Sequence, residues 1–194
     1  MSKAEKTRQF IVEKTAPIFN VKGYAGTSLS DMTDATGLTK GSIYGNFANK
    51  DEVALAAFDY NLQKIGVIYN AELAKHTNAR ERLLVYVHVY SNFLKFPFPV
   101  GGCPILNTAI ESDDMYPALR EKVAKAINDW KTRLIAIVEK GIRNKEFKKT
   151  TDPESVALTM ISMLEGCIMV AKATGNMHYR NTVLKSLENY ITDL

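Results

Sequence analysis

Apolar residues recur at helical spacing through almost the whole chain, and strand-like alternation is nearly absent. The pattern predicts an all-α protein of about nine helices. A first helix, about Lys3 to Lys22, puts Ile11, Thr15, Ile18 and Phe19 on one face and ends at Gly23. Pro17 removes a bond to the Glu13 carbonyl, so a kink there or a late break is expected. Ser28, three residues before Asp31, caps a second helix that carries Leu29, Met32 and Thr33 on one side and stops at Gly37. Thr39 caps a third, Lys40 to Phe47, with Ile43 and Phe47 facing inward. Asn49-Lys50-Asp51-Glu52 forms another capping box and opens a fourth helix, about Lys50 to Lys75. The fifth runs from about Ala79 to Phe96, where Pro97, Pro99, Gly101 and Gly102 interrupt the pattern. A short helix from about Cys103 to Ser112 follows, then a long one from Pro117 to Gly141. Asp152-Pro153 starts the next. The last spans about Met177 to Leu194.

Residues 27–50 bear the most chemistry, because they combine a helix, a tight turn and a second short helix able to enter a DNA groove. With Ile43 and Phe47 inward, Lys40, Ser42, Tyr44 and Asn46 point outward. All are hydrogen-bond donors, as reading of base edges and phosphates requires. Lys50, in the first turn of the fourth helix, reaches a phosphate that the helix amino terminus also favours. A small helical subdomain with a polar outer face has the same local pattern.

The chain has 194 residues, enough for one large domain or two small ones with a real core. No uninterrupted apolar run approaches the roughly 20 residues of a membrane span, and MSKAEKTRQF lacks the apolar centre of a signal peptide. A cytoplasmic protein with no membrane partner is expected. The net charge is +4, and residues 1–50 hold seven Lys or Arg against four Asp or Glu, so most of the excess lies with the DNA-reading segment. Val156, Met160, Met163, Leu164, Cys167, Ile168 and Ala171 make a broad apolar face near the end of the chain. That face either closes the core of a monomer or is buried against a second copy. A twofold dimer would present two recognition helices to two half-sites, and Gly166 would let another helix approach closely.

Phe19, Gly23, Tyr24, Thr27, Ser28, Gly37, Lys40, Gly41, Ser42, Ile43, Tyr44, Phe47 and Lys50 occur in an order and spacing that resemble the amino-terminal domain of TetR-family transcriptional regulators, over about residues 5–65. The resemblance implies a helix-turn-helix DNA-binding domain at 1–48 and a helical effector-binding and dimerisation domain at 49–194. It also implies a homodimer through the last two helices, about 152–194, and repression of an operator in double-stranded DNA, relieved by a small-molecule effector. Carried over by position, Thr27 and Ser28 hold phosphates at the start of the second helix, and Thr39, Lys40, Ser42, Tyr44 and Asn46 meet bases or phosphates. Gly41 permits close backbone approach, and Lys50 anchors a phosphate. The sequence departs from the family pattern at Gly45 and Asn46, where an aromatic residue or arginine and then histidine are more usual.

Candidates for an effector cavity are Tyr86, His88, Tyr90, Phe93, Cys103, Asn107, Trp130 and Met163, which serve equally as ordinary core. Cys103 follows Gly101-Gly102 at a helix start, where the dipole favours thiolate, so a thiol- or electrophile-sensing repressor is an alternative. Cys167 lies on an apolar face and reads as packing. No His, Cys, Asp or Glu cluster has metal-ligand spacing, and no cofactor motif occurs. Cys103 with His88 could be imagined as a nucleophile and base, but no orienting third group or nucleophile motif accompanies them. The chain is therefore read as a non-enzyme.

Overall fold

The computed structural model describes residues 2–112 and 116–194, and these form nine α-helices, one short 3-10 turn and no strand. The helices are α1 (Lys3–Gly26), α2 (Leu29–Thr36), α3 (Lys40–Tyr44), α4 (Lys50–Leu73), α5 (Ala79–Ser91), α6 (Pro104–Ser112), α7 (Pro117–Arg143), α8 (Pro153–Thr174) and α9 (Met177–Thr192). The 3-10 turn is Phe93–Lys95. The all-α expectation holds, and so does the layout of an amino-terminal helix-turn-helix followed by further helices.

Several ends follow local chemistry. Ser28 and Asp31 form a full capping box, Thr39 caps α3 through the Ser42 amide, and Gly37 closes α2 at φ 67°. Elsewhere the boundaries differ from those expected. Pro17 stays inside α1, and the helix breaks at Gly23 (φ 73°, ψ 179°) before one further turn. The expected fifth helix stops early at Ser91, where the Asn92 side chain folds back onto the His88 carbonyl at 3.0 Å. Gly141 does not end α7. A Cβ there would lie 2.3 Å from the Phe147 ring and 2.8 Å from Ala79 Cβ, so the glycine marks a close approach.

The chain divides into two compact units, Met1–Gly66 with Phe98–Ala124, and Val67–Pro97 with Lys125–Leu194. In the first, Ile11, Ala16, Phe19, Met32, Ile43, Phe47, Val53 and Ala57 form one core. Each of these side chains larger than alanine contributes about 1.5–3 kcal/mol of transfer free energy before the entropy of ordering is deducted. In the second, Leu83, Leu134, Met160, Leu164, Leu184, Leu187 and Ile191 are fully buried. Arg80 ties its ends, donating to the Ile191 carbonyl at 2.6 Å and the Glu146 carbonyl at 2.9 Å.

Helix α8 is the one helix among the described residues long and apolar enough to cross a membrane by length and composition, with a mean hydropathy of 1.6. Val156, Met160, Leu164, Cys167 and Ala171 on one side are buried within the second unit, where α8 packs along α9. On the other side Leu158, Met169 and Val170 are exposed. Gly166 meets nothing within 4 Å in the chain, so no close helix approach explains it here.

Candidate nucleic-acid interface

The corner before α2 is held by backbone and side chain together. Thr27 is fully buried and donates its hydroxyl to the Gly23 carbonyl at 2.6 Å. Ser28 is exposed; its oxygen accepts from the Asp31 amide at 3.1 Å, and its own amide donates to the Asp31 carboxylate at 2.8 Å. Lys22 adds an ion pair to Asp31 at 2.5 Å. These donors, Lys22 first and then the Ser28 amide and hydroxyl, hold the Asp31 carboxyl down at about 2.

The third helix ends at Tyr44 rather than at the expected Phe47; Ile43 on α3 and Phe47 just after it are buried, while Lys40, Gly41 and Ser42 are exposed and Tyr44 is half-buried. Thr39, exposed, shares a 3.1 Å hydrogen bond with the Ser42 hydroxyl. Asn46 is turned back, with its amide donating to the Ser42 carbonyl at 2.9 Å. Gly45 follows from the same tight winding, since a Cβ there would lie 3.1 Å from the Gly41 carbonyl oxygen.

Two residues to which the outward-pointing pattern gave no role fix this element. The Arg8 guanidinium lies 3.9 Å over the Phe47 ring and donates to the Asn46 carbonyl and to Glu52. Glu52 was expected to close a box on Asn49. Asn49 does cap the Glu52 amide at 2.9 Å, but the Glu52 carboxylate accepts from the Ala48 amide at 2.7 Å instead. That amide, and then Arg8, hold the Glu52 carboxyl below its usual range. The only sequence signal for Arg8 was a basic residue on the first helix, which does not say what it clamps. Tyr24 is the second. The Lys50 ammonium sits 4.4 Å over its ring, its hydroxyl bonds Asp51, and burial followed by the Asp51 carboxylate pushes the phenol pKa up.

The residues expected to line an effector cavity are divided. In the second unit Tyr86 and Tyr90 are buried and lie near-parallel to Trp130, at centroid distances of 6.2 and 6.4 Å, and Tyr69 stacks on Tyr86 at 4.7 Å. Tyr90 donates to Glu165 at 2.7 Å. Burial pushes the Tyr86 phenol up to about 12. Buried polar ends without a hydrogen-bond partner in this unit include Trp130 Nε1, Arg82 Nε and Arg180 Nη1. Phe93 lies 5.0 Å from the Arg180 guanidinium, Met163 is half-buried, and His88 is exposed, edge-on to Phe96. Cys103 and Asn107 belong to the first unit. There Asn107 donates to the Asn20 carbonyl at 2.9 Å and the Gly101 carbonyl at 3.0 Å. Cys103 precedes α6 and is only 6% exposed, while burial raises the Cys167 thiol to about 11. No group of three or more His, Cys, Asp or Glu among the described residues could hold a metal ion.

Comparison with known proteins agrees with this geometry. Residues 11–57 match the description "Bacterial regulatory proteins, tetR family", and residues 79–187 match "Tetracyclin repressor-like, C-terminal domain". The solved structure of a TetR-family transcriptional regulator from Cytophaga hutchinsonii is 51% identical, with a TM-score of 0.96 over 100% of this chain and 97% of that one. A TetR transcriptional regulator from Chloroflexus aurantiacus is 40% identical, with a TM-score of 0.93 over 99% of this chain and 97% of that one. Among curated proteins, the HTH-type transcriptional repressor DhaR of Mycobacterium sp. (strain GP1) is 26% identical over 87% of this chain and 84% of its own length.

Proposed function

The chain belongs to the TetR family of bacterial transcriptional regulators, and we propose that it is a homodimeric repressor whose hold on an operator is released by a small-molecule effector. One observation carries the DNA-binding part. Ile43 on α3 and Phe47 just after it are buried and leave Lys40, Gly41 and Ser42 exposed, with Lys50 opening the next helix. In this reading Lys40, Ser42 and Tyr44 meet base edges or phosphates, Gly41 lets the backbone come close, and Ser28 and Lys50 grip phosphates. Thr39 and Asn46 border the same surface, each bonded locally to Ser42, whereas Thr27, expected to hold a phosphate, is fully buried with its hydroxyl on the Gly23 carbonyl and so supports the corner from inside. The DNA-binding domain is assigned to 1–48, and effector binding and dimerisation to 49–194.

Leu158, Ser162, Gly166 and Met169 recur every three to four residues on the side of α8 away from its buried row, which supports a second copy packing there with α9. The aromatic group of Tyr86, Tyr90 and Trp130 supports an effector site in the same unit, lined also by Phe93 and Met163. Release then requires the effector to favour one of two conformations, since only differential affinity shifts such an equilibrium. A repressor of this kind works in the cytoplasm and catalyses no reaction. A thiol-sensing version through Cys103 has its position at a helix start in favour and its burial against.

The test is binding of the purified protein to DNA from upstream of its own gene, against random-sequence competitor and across salt, with sedimentation to give the oligomeric state. Specific binding by a dimer with a steep salt dependence is expected. Affinity equal to that for random DNA after an unbiased binding-site selection would end the proposal, and unchanged affinity after thiol oxidation would dismiss the Cys103 version.

A further inference from the structure

At the break in α1 at Gly23, three backbone groups are met by side chains of α6. The Asn20 carbonyl accepts from the Asn107 side-chain amide at 2.9 Å. The Tyr24 and Ala25 amides each donate to one oxygen of the Glu111 carboxylate, both at 2.7 Å. Asn107 and Glu111 are four residues apart, on one face of α6. The fit is close: a Cβ on Gly23 would lie 2.5 Å from a Glu111 oxygen, and one on Gly101 would lie 2.9 Å from the Asn20 carbonyl oxygen. Among the described residues Glu111 has no ion pair with a basic side chain within 4.0 Å. Its bidentate grip on two neighbouring amides therefore has no competing cation in that shell.

Tyr24 passes this grip on. Its amide is held by Glu111, its ring lies against Tyr116 at a 4.2 Å centroid distance, its hydroxyl bonds Asp51, and the Lys50 ammonium rests 4.4 Å above the ring. A lysine side chain is otherwise free to sample many rotamers, so a fixed ring beneath it reduces what must be ordered when an anion binds. We propose that Glu111 is a positioning residue for DNA binding, acting through Tyr24 to hold Lys50 at the place where it meets a backbone phosphate. This rests on the reading that Lys50 contacts phosphate. It adds that the phosphate grip at the start of α4 is set from α6.

The experiment compares wild type, Lys50→Ala, Glu111→Gln, the double variant and Tyr24→Leu on duplex DNA selected by the wild-type protein from a random-sequence pool. Affinity is measured across salt, and thermal unfolding is recorded for each. Lys50→Ala should lower the salt slope by about one per protomer, about two for the bound dimer, as loss of one phosphate contact from each copy does. Glu111→Gln, which presents a donor to one of two amide donors, should lower the slope by a similar amount and weaken binding roughly tenfold. The double variant should bind no more weakly than Lys50→Ala alone, because both act on one contact. An unchanged slope in Lys50→Ala would overturn the phosphate reading itself. With that slope lowered, a wild-type slope in Glu111→Gln, or additive losses in the double variant, would overturn the positioning role alone. If Glu111→Gln does not fold, Tyr24→Leu decides: a lowered slope supports the relay and a wild-type slope overturns it.

Discussion

The two units are built with different chemistry. The surface around α2 and α3 is built from short-range polar bonds: Ser28 to Asp31, Thr39 to Ser42 and Asn46 to Ser42. The interior of the second unit is built from aromatic faces brought from α4, α5 and α7, where Tyr69, Tyr86, Tyr90 and Trp130 lie near-parallel. A surface that meets the regular phosphate spacing of DNA is served by rigid local caps. The interior proposed for an effector depends instead on which distant side chains the fold gathers.

The largest expected effects come from removing one core side chain in each unit. Phe47→Ala should cost about 3–5 kcal/mol and abolish DNA binding, since it also removes the platform under Arg8; Leu164→Ala should cost about 2–5 kcal/mol. Chemical denaturation with DNA binding measured in parallel checks both, and equal loss of DNA affinity per kcal/mol in the two variants would erase the contrast. Next come two glycines. Gly141→Ala should destabilise by about 1–3 kcal/mol because its Cβ meets Phe147 and Ala79. Gly166→Ala has open space in the chain and better helix propensity, by about 0.5–1 kcal/mol, so any weakening of self-association by sedimentation would mark a partner packed on that face.

Smaller still, and opposite in sign at the two ends of the pH scale, are the titrations of three groups. The Asp31 carboxyl is depressed to about 2 from 3.8, so its contribution to stability is present above that ordinary value and lost as pH falls toward 2. Burial raises Cys167 to about 11 from 9.0 and Tyr86 to about 12 from 10.0. Their contribution is intact below the ordinary values and lost as pH rises through the raised ones. Thermal melts of Asp31→Asn and Cys167→Ala should flatten the acid and alkaline limbs respectively, and a swap of limbs would refute the assignment.

The DNA side was largely legible because its determinants lie within a few residues of one another. A serine three residues before an aspartate, a glycine after a short helix and an apolar pair four apart each carry their own geometry. Helical spacing alone places Asn46 outward; in the structure its side-chain amide donates to the Ser42 carbonyl where α3 ends. The fifth helix was extended past Asn92 because its apolar spacing continues, while the break depends on a side chain returning to the His88 carbonyl. Cys103 and Asn107 are expected beside the aromatic residues of an effector cavity. α6 instead lies in the unit of α1, where Asn107 completes the backbone of Asn20.

From the sequence alone came the helical class, the caps of α2 and α3, and the outward row at Lys40 and Ser42, because hydrogen-bond geometry and helical periodicity act over a few residues. Only the tertiary structure decided that Arg8 clamps the end of α3, that Gly141 marks a contact rather than a helix end, and that Glu111 completes the broken turn of α1. Those contacts join residues far apart in the chain, and their spacing in sequence carries no trace of the distance that folding closes.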